Sequence, residues 1–235
     1  MIKCLFLVEG ANDKQRLSLI ETLFDPYKIQ IFHFGCDKLT EKDYPVNYKN
    51  EIRNILSREK THSLEDFTHI VQVCDLDGCF VDEKYIIENK ELNKIEYHEN
   101  KIEVIDKKQI VERNNVKITN IRTILEDKEV LLYFNSTNID HAFDGIQNPT
   151  NREKKNAAID MYNRYKNNEL CFLNELFNAN RLESSDYESS WIDAQNGFNS
   201  LKPNSNLIFF VDYFQDELKE DIKKEYEKLK TRKIS

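Results

Sequence analysis

Short apolar runs alternate with helix-patterned segments along the first part of the chain, and this alternation restricts the fold more than any other feature. The first three runs are residues 3–8 (KCLFLV), 29–34 (IQIFHF) and 69–74 (HIVQVC). Between them apolar residues such as Leu17 and Ile20 recur at the spacing of an amphipathic helix. This order of strand, helix, strand, helix and strand favours parallel strands that are joined by right-handed crossovers. We therefore predict an α/β fold with a Rossmann-like, mostly parallel sheet flanked by helices.

Two further regions complete the predicted architecture. Around residues 92–117 short alternating stretches flank a polar turn, which predicts a β-hairpin insertion. We predict an α/β core over residues 1–145 that contains this insertion, and a mainly helical extension over residues 146–235 that packs on the core. The other predicted elements are a helix at residues 81–88 and buried strands at residues 130–134 and 207–211.

Composition predicts a globular cytoplasmic protein. Hydrophobic residues make up 40% of the chain, and its longest apolar runs are far shorter than the ~20 residues that a membrane crossing needs. The first residues lack a signal-peptide pattern, and five cysteines without regular spacing argue against a disulfide framework. A net charge of −8 repels phosphate, so binding of nucleic acid would need a basic patch, divalent cations or a basic partner.

Acidic residues follow two of the predicted strands. Glu9 and Gly10 come after the first strand, and Asp75, Asp77 and Gly78 come after the third. In open parallel sheets ligands bind at the carboxyl ends of the strands. Carboxylate oxygens suit Mg²⁺, and acids brought together without a cation would repel one another. The pattern predicts a metal site, although acids at strand ends are also common as helix caps and turn residues.

Two motifs resemble those of the TOPRIM domain, the catalytic module of topoisomerases, bacterial primases and OLD-family nucleases. They are residues 6–14 (FLVEGANDK) and residues 71–78 (VQVCDLDG). The resemblance covers about residues 1–140 and implies a TOPRIM-like fold. It implies Glu9 as a metal ligand or general base, and Asp75 and Asp77 as metal-binding acids. The implied cofactor is Mg²⁺ or Mn²⁺, and the implied reaction is hydrolysis of phosphodiester bonds in DNA or RNA.

A looser resemblance to small RloB-like and OLD-associated proteins concerns residues 135–143 (NSTNIDHAF) and implies Asp140 as a further site residue. Lys14 matches the TOPRIM pattern as a phosphate contact, but a lysine on a helix surface is a common alternative. His141, beside Asp140, is a candidate general acid or a structural histidine. The family implies a role in bacterial defence against phage, with a separately encoded ATPase as a partner.

Two other functions fit the same residues. The sequence DLDGCF, which begins at Asp75, also resembles the nucleophile motif of haloacid-dehalogenase-like phosphatases. There Asp75 would attack a phosphoryl group and Asp77 would act as the general acid. That motif normally follows the first strand of its fold, whereas here two strand-helix units precede it. The third possibility is a non-catalytic TOPRIM-like module that binds a partner.

Overall fold

The computed structural model describes residues 1–36, 38–42, 44–60 and 62–234, without the side chains at 45, 46, 59, 233 and 234. None of the described helices is both long and apolar enough to span a bilayer. The strands are β1 Ile2–Val8, β2 Ile29–Gly35, β3 His69–Asp75, β4 Ile86–Glu88, β5 Glu96–Tyr97, β6 Ile102–Val104 and β7 Val130–Asn135. The α-helices are α1 Ala11–Leu17, α2 Tyr44–Glu59, α3 Lys107–Asp127, α4 Ile139–Asp144, α5 Asn151–Tyr165, α6 Glu169–Ala179, α7 Tyr187–Ala194, α8 Ile208–Tyr213 and α9 Glu220–Ile234.

The main sheet has four strands in the order β2-β1-β3-β7, and all of its neighbouring strands run parallel. The predicted α/β class with a mostly parallel sheet and flanking helices is confirmed. Because β3 has β1 on one side and β7 on the other, the carboxyl ends of these three strands lie side by side.

Strand β1 is buried on both faces, as its unbroken apolar sequence predicts for a parallel sheet. Cys4, Phe6 and Val8 join one hydrophobic cluster, and Leu5 and Leu7 join another on the opposite face. Helices α5, α6, α8 and α9 contribute to the first cluster, and α2, α3 and α7 to the second. Helices from the second half of the chain therefore complete the cores on both faces of the sheet.

The strand predicted at residues 207–211 is wrong, because this segment forms helix α8. Four consecutive residues, from Ile208 to Val211, are buried. When every residue of a short segment is buried, a strand and a helix have the same unbroken apolar sequence. Hydrophobic periodicity therefore does not distinguish the two structures.

The helix predicted at residues 81–88 is also wrong. A single 3₁₀ turn, Glu83–Tyr85, is followed directly by strand β4. The Asp82 side chain caps this turn by accepting a hydrogen bond from the backbone N–H of Lys84 at 3.0 Å. Pairing of β4 with β6 then extends the chain and ends the turn.

The insertion contains the expected hairpin but ends earlier than predicted. Strands β5 and β6 pair antiparallel, and β4 adds a parallel strand, giving a small sheet in the order β4-β6-β5. Helix α3 already begins at Lys107, ten residues before the predicted end at 117. Its N-cap is Asp106, whose side chain accepts a hydrogen bond from the backbone N–H of Gln109 at 3.1 Å.

Gly78 is needed where the chain turns after Asp77. Its φ is +64°, and an added Cβ would lie 2.6 Å from Leu201 Cδ2 and 2.8 Å from Ile102 Cδ1. We expect Gly78→Ala to lower the free energy of unfolding by about 2 kcal/mol or more through backbone strain and overpacking.

The matched control is Gly35→Ala, because no described atom lies within 4 Å of the Cβ position there. Its effect should stay below about 1 kcal/mol in the same urea denaturation. Equal losses in the two variants would contradict the packing argument.

Candidate functional site

The carboxyl edge of the sheet brings Glu9 and Asp75 together. Glu9 follows β1, and Asp75 ends the neighbouring strand β3. Glu9 Oε1 accepts a hydrogen bond from the backbone N–H of Asp75 at 3.0 Å. On the other side of β3, Asn135 is in register with Asp75 and its Nδ2 donates to Asp75 Oδ1 at 3.2 Å. The half-buried carboxylate of Asp75 thus lies between residues from two neighbouring strands.

Asp77 is held by a different set of contacts. Its backbone has a φ of +52°, and its N–H donates to the carbonyl of Thr137 at 3.0 Å. The Tyr97 hydroxyl donates to Asp77 Oδ1 at 3.1 Å, and Lys117 Nζ donates to Oδ2 at 2.8 Å. Lys117 Nζ also lies 3.8 Å from Glu9 Oε1. The Lys117 ammonium therefore forms an internal cation shared by Glu9 and Asp77.

Sequence reasoning missed Lys117, although the sequence carried a signal for it. The side chain of Lys117 is 1% exposed, and the residue lies on the buried face of α3 with Ile110, Ile121 and Ile124. A lysine in step with these apolar positions indicates a buried charge with a partner. Because residues up to 117 were assigned to the insertion, the start of α3 was predicted too late and Lys117 was not compared with these isoleucines. Asn135 and Tyr97 were also missed, and Tyr97 carries no comparable signal because the hairpin alone places it beside Asp77.

Asp75 and Asp77 have opposite electrostatic surroundings. Burial, followed by repulsion from Glu9, Asp13 and Asp77, raises the pKa of Asp75 well above its ordinary value, although Lys117 opposes this. Burial would also raise the pKa of Asp77, but attraction by Lys117 and Arg113 outweighs it and holds that pKa below its ordinary value. Asp75 is therefore the acid of this pair whose ionised form its surroundings disfavour.

Lys117 stays charged despite its burial. Desolvation lowers its pKa, but attraction by Asp77 and then by Glu9 outweighs this and raises the pKa well above the ordinary value. The ammonium offsets part of the negative charge of the cluster. It leaves Asp75 crowded by the Glu9 and Asp13 carboxylates.

Asp140 makes its main contact with an arginine. Arg16, a fully buried residue of α1, donates from Nη2 to Asp140 Oδ1 at 2.6 Å and from Nη1 to Asp144 Oδ2 at 2.7 Å. Burial raises the pKa of Asp140, Arg16 and Lys154 oppose this, and the Asp13 carboxylate adds to it. The Asp13 carboxylate thus acts on both Asp75 and Asp140. Among the described residues, Asp140 makes no hydrogen bond or ion pair with Asp75.

The other two candidates have separate environments. His141 Nδ1 lies 3.3 Å from the Thr137 hydroxyl, and burial followed by repulsion from Arg181 lowers the pKa of His141 to about 4. The imidazole is therefore uncharged at neutral pH. Lys14 is exposed, with its ammonium 5.9 Å from the centre of the Phe34 ring.

The carboxylates of Glu9, Asp75 and Asp77 at the sheet edge are chemically suited to a hard divalent cation, because carboxylate oxygens are the ligands that Mg²⁺ prefers. The three predicted ligands do not converge as tightly as a filled site requires. Among the described residues, three ligand atoms lie within 4.8 Å of one another at Glu96, His98 and Glu103, and not at Glu9, Asp75 and Asp77. The acids that fit a cation best are Glu9 and Asp75, whereas Asp77 stays a predicted ligand.

Comparison of the chain with protein-family models, with curated proteins and with solved structures finds no match in any of the three. The TOPRIM assignment therefore stays a prediction from the two sequence motifs.

Proposed function

We propose that this protein is a Mg²⁺-dependent nuclease of the TOPRIM type that hydrolyses phosphodiester bonds of DNA or RNA. The observation that carries the proposal is the crowding of the half-buried Asp75 by Glu9 and Asp13 at the carboxyl edge of a parallel sheet. Ionising a carboxylate in such surroundings is costly unless a cation is bound beside it. The edge of the sheet is also where open α/β folds bind their substrates.

Glu9 and Asp75 would hold the cation, and Asp77 is the third predicted ligand. When bound, Mg²⁺ or Mn²⁺ would polarise the scissile phosphate and favour formation of a hydroxide nucleophile. The protein's own contribution is orientation, because the backbone N–H of Asp75 fixes Glu9 and the Asn135 amide fixes Asp75. Lys117 keeps Asp77 ionised and offsets part of the negative charge that a phosphodiester would meet.

The surroundings of the two aspartates count against the phosphatase alternative. A phosphatase of that class needs Asp75 ionised as the nucleophile and Asp77 protonated as the general acid. Here the pKa of Asp75 is raised by burial and by the neighbouring carboxylates, whereas attraction by Lys117 holds the pKa of Asp77 low. The lowered pKa of Asp77 is the reverse of what a general acid requires, whereas a bound cation would lower the pKa of Asp75 in either mechanism. The proposal includes a role in defence against phage and a separately encoded ATPase partner. Both rest on the family resemblance alone.

The experiment compares two substrate classes. Labelled DNA and RNA are incubated with the native chain with and without Mg²⁺ or Mn²⁺, and a small phosphomonoester is tested in parallel. We expect cation-dependent cleavage of nucleic acid that is lost in Glu9→Gln and in Asp75→Asn. Phosphate release that needs Asp75 but not Glu9 would favour the phosphatase. Inactivity on both substrates, with no binding of Mg²⁺ or Mn²⁺, would favour a non-catalytic module.

A further inference from the structure

The β5–β6 hairpin brings three metal-ligating side chains together on a surface outside the proposed nuclease site. Glu96 of β5 and Glu103 of β6 are direct cross-strand partners, and His98 follows Glu96 by two residues. His98 Nε2 lies 3.9 Å from Glu103 Oε1, and the ligand atoms of all three residues fall within 4.8 Å of one another.

Two glutamate carboxylates face each other in this group, and the hydrogen bonds from Lys101 and Asn89 lower the pKa of Glu103 and so favour its ionised form. Like charges placed directly opposite each other across an antiparallel pair destabilise it. The His98 side chain is 37% exposed, but its Nε2 atom is buried and makes no hydrogen bond to the described residues. Lys101 contacts Glu103 and offsets one of the two charges, but its side chain is 41% exposed and reaches the carboxylate from solvent. A cation between the three groups would be coordinated by both carboxylates and by the ring nitrogen that makes no hydrogen bond.

The carboxylate of Glu103 is already oriented for such a role. Asn89 Nδ2 donates to Glu103 Oε2 at 3.0 Å, which leaves the Oε1 atom on the side of His98. Hydrogen bonds of this kind fix the direction of a metal-ligating carboxylate.

We propose that Glu96, His98 and Glu103 bind one first-row transition-metal cation of the Zn²⁺ type. Imidazole nitrogen favours Zn²⁺ and its neighbours over Mg²⁺, and three protein ligands leave a fourth position for water. Ligand bonds of about 2.0–2.2 Å place two ligands of one ion roughly 3–4 Å apart, which is close to the present spacing. Binding of the ion requires the Lys101 ammonium to move away from Glu103.

The ion would act on the other site through Tyr97. This residue lies between Glu96 and His98 in the chain, and its hydroxyl donates to Asp77 at 3.1 Å. The Asn148 side chain holds the backbone N–H and carbonyl of Tyr97 at 2.8 and 2.7 Å. A cation that stiffens the hairpin would therefore hold Tyr97 against Asp77.

The test is direct metal binding to the full chain, which does not depend on any nuclease activity. Zn²⁺ affinity is measured by competition with a chromophoric chelator, and Co²⁺ is added to detect the visible absorption of a nitrogen-ligated site. The titrations use Asp75→Asn protein, so that the sheet edge does not contribute. In this protein we expect one Zn²⁺ per chain, with affinity reduced more than about tenfold when His98→Asn or Glu103→Gln is added.

Two further variants separate ligation from damage to the hairpin. Glu99→Gln changes an exposed glutamate in the same turn and should leave Zn²⁺ affinity unchanged. Lys101→Met removes the competing ammonium and should tighten binding, which a merely structural role for the hairpin does not predict. Absence of Zn²⁺ binding by the Asp75→Asn protein, or equal affinity with and without His98→Asn, would overturn the proposal.

Discussion

Asp75→Asn is expected to lower the rate of Mg²⁺-dependent cleavage by at least about 10³-fold, because loss of a charged metal ligand removes several kcal/mol of transition-state stabilisation. Asparagine keeps the size of the side chain and an oxygen that can accept the Asn135 hydrogen bond. The matched control is Asp160→Asn, the same chemical change on the exposed face of α5, which should leave the rate unchanged. An Asp75→Asn rate close to that of the native chain would contradict the assignment.

Unfolding would not explain this loss of activity. Because the pKa of Asp75 is raised in the folded protein by burial and by neighbouring carboxylates, the native state binds its proton more tightly than the unfolded state does. Ionisation of Asp75 therefore costs stability as pH rises above the ordinary carboxyl pKa. Without divalent cations, Asp75→Asn should raise the melting temperature at pH 7, and this gain should shrink as pH falls. A lower melting temperature for the variant at pH 7 would show that Asp75 is not crowded.

Lys117→Met is expected to produce the largest loss of stability, about 3 kcal/mol in the free energy of unfolding, because it removes a buried cation from two partly buried carboxylates. Asp77 loses its 2.8 Å hydrogen bond, and Glu9 loses an ammonium 3.8 Å away. Urea denaturation in a chelator-treated buffer measures the loss. Lys108→Met, an exposed change on the same helix, should stay within about 0.5 kcal/mol of the native chain.

A double-mutant cycle identifies the source of that loss. Adding Asp77→Asn to Lys117→Met removes the charge that was left unpaired. The double variant should therefore be more stable than the sum of the single effects predicts, by at least about 1 kcal/mol. Strict additivity of the two substitutions would mean that Lys117 contributes through packing and not through its charge.

The sequence places Glu9 and Asp75 at the same edge of the sheet, because each residue comes at the end of an apolar run and parallel strands end at one edge. Their proximity comes from the pairing of β1 with β3, which only the structure shows. The order β2-β1-β3-β7 itself was not predicted, since strand order depends on which helices cover each face.

The buried Lys117 and the hairpin group of Glu96, His98 and Glu103 were not predicted from the sequence, for different reasons. Lys117 was missed because the insertion was predicted to end at residue 117, whereas α3 already begins at Lys107. Glu96 and Glu103 become opposed only through the register of β5 with β6, and register is fixed by the turn between them. Helix α8 was misassigned because four buried residues in succession carry no periodicity.

Mn²⁺ binding tests the central claim most directly, namely that the crowded carboxylates at the sheet edge hold a divalent cation. Free Mn²⁺ is followed by electron paramagnetic resonance during titration of the full chain. Both samples carry His98→Asn, so that the hairpin does not contribute, and one of them also carries Asp75→Asn. We predict one bound Mn²⁺ when Asp75 is present, with affinity that rises with pH as Asp75 loses its proton, and no bound Mn²⁺ when it is replaced. Equal Mn²⁺ binding by the two proteins would contradict the account.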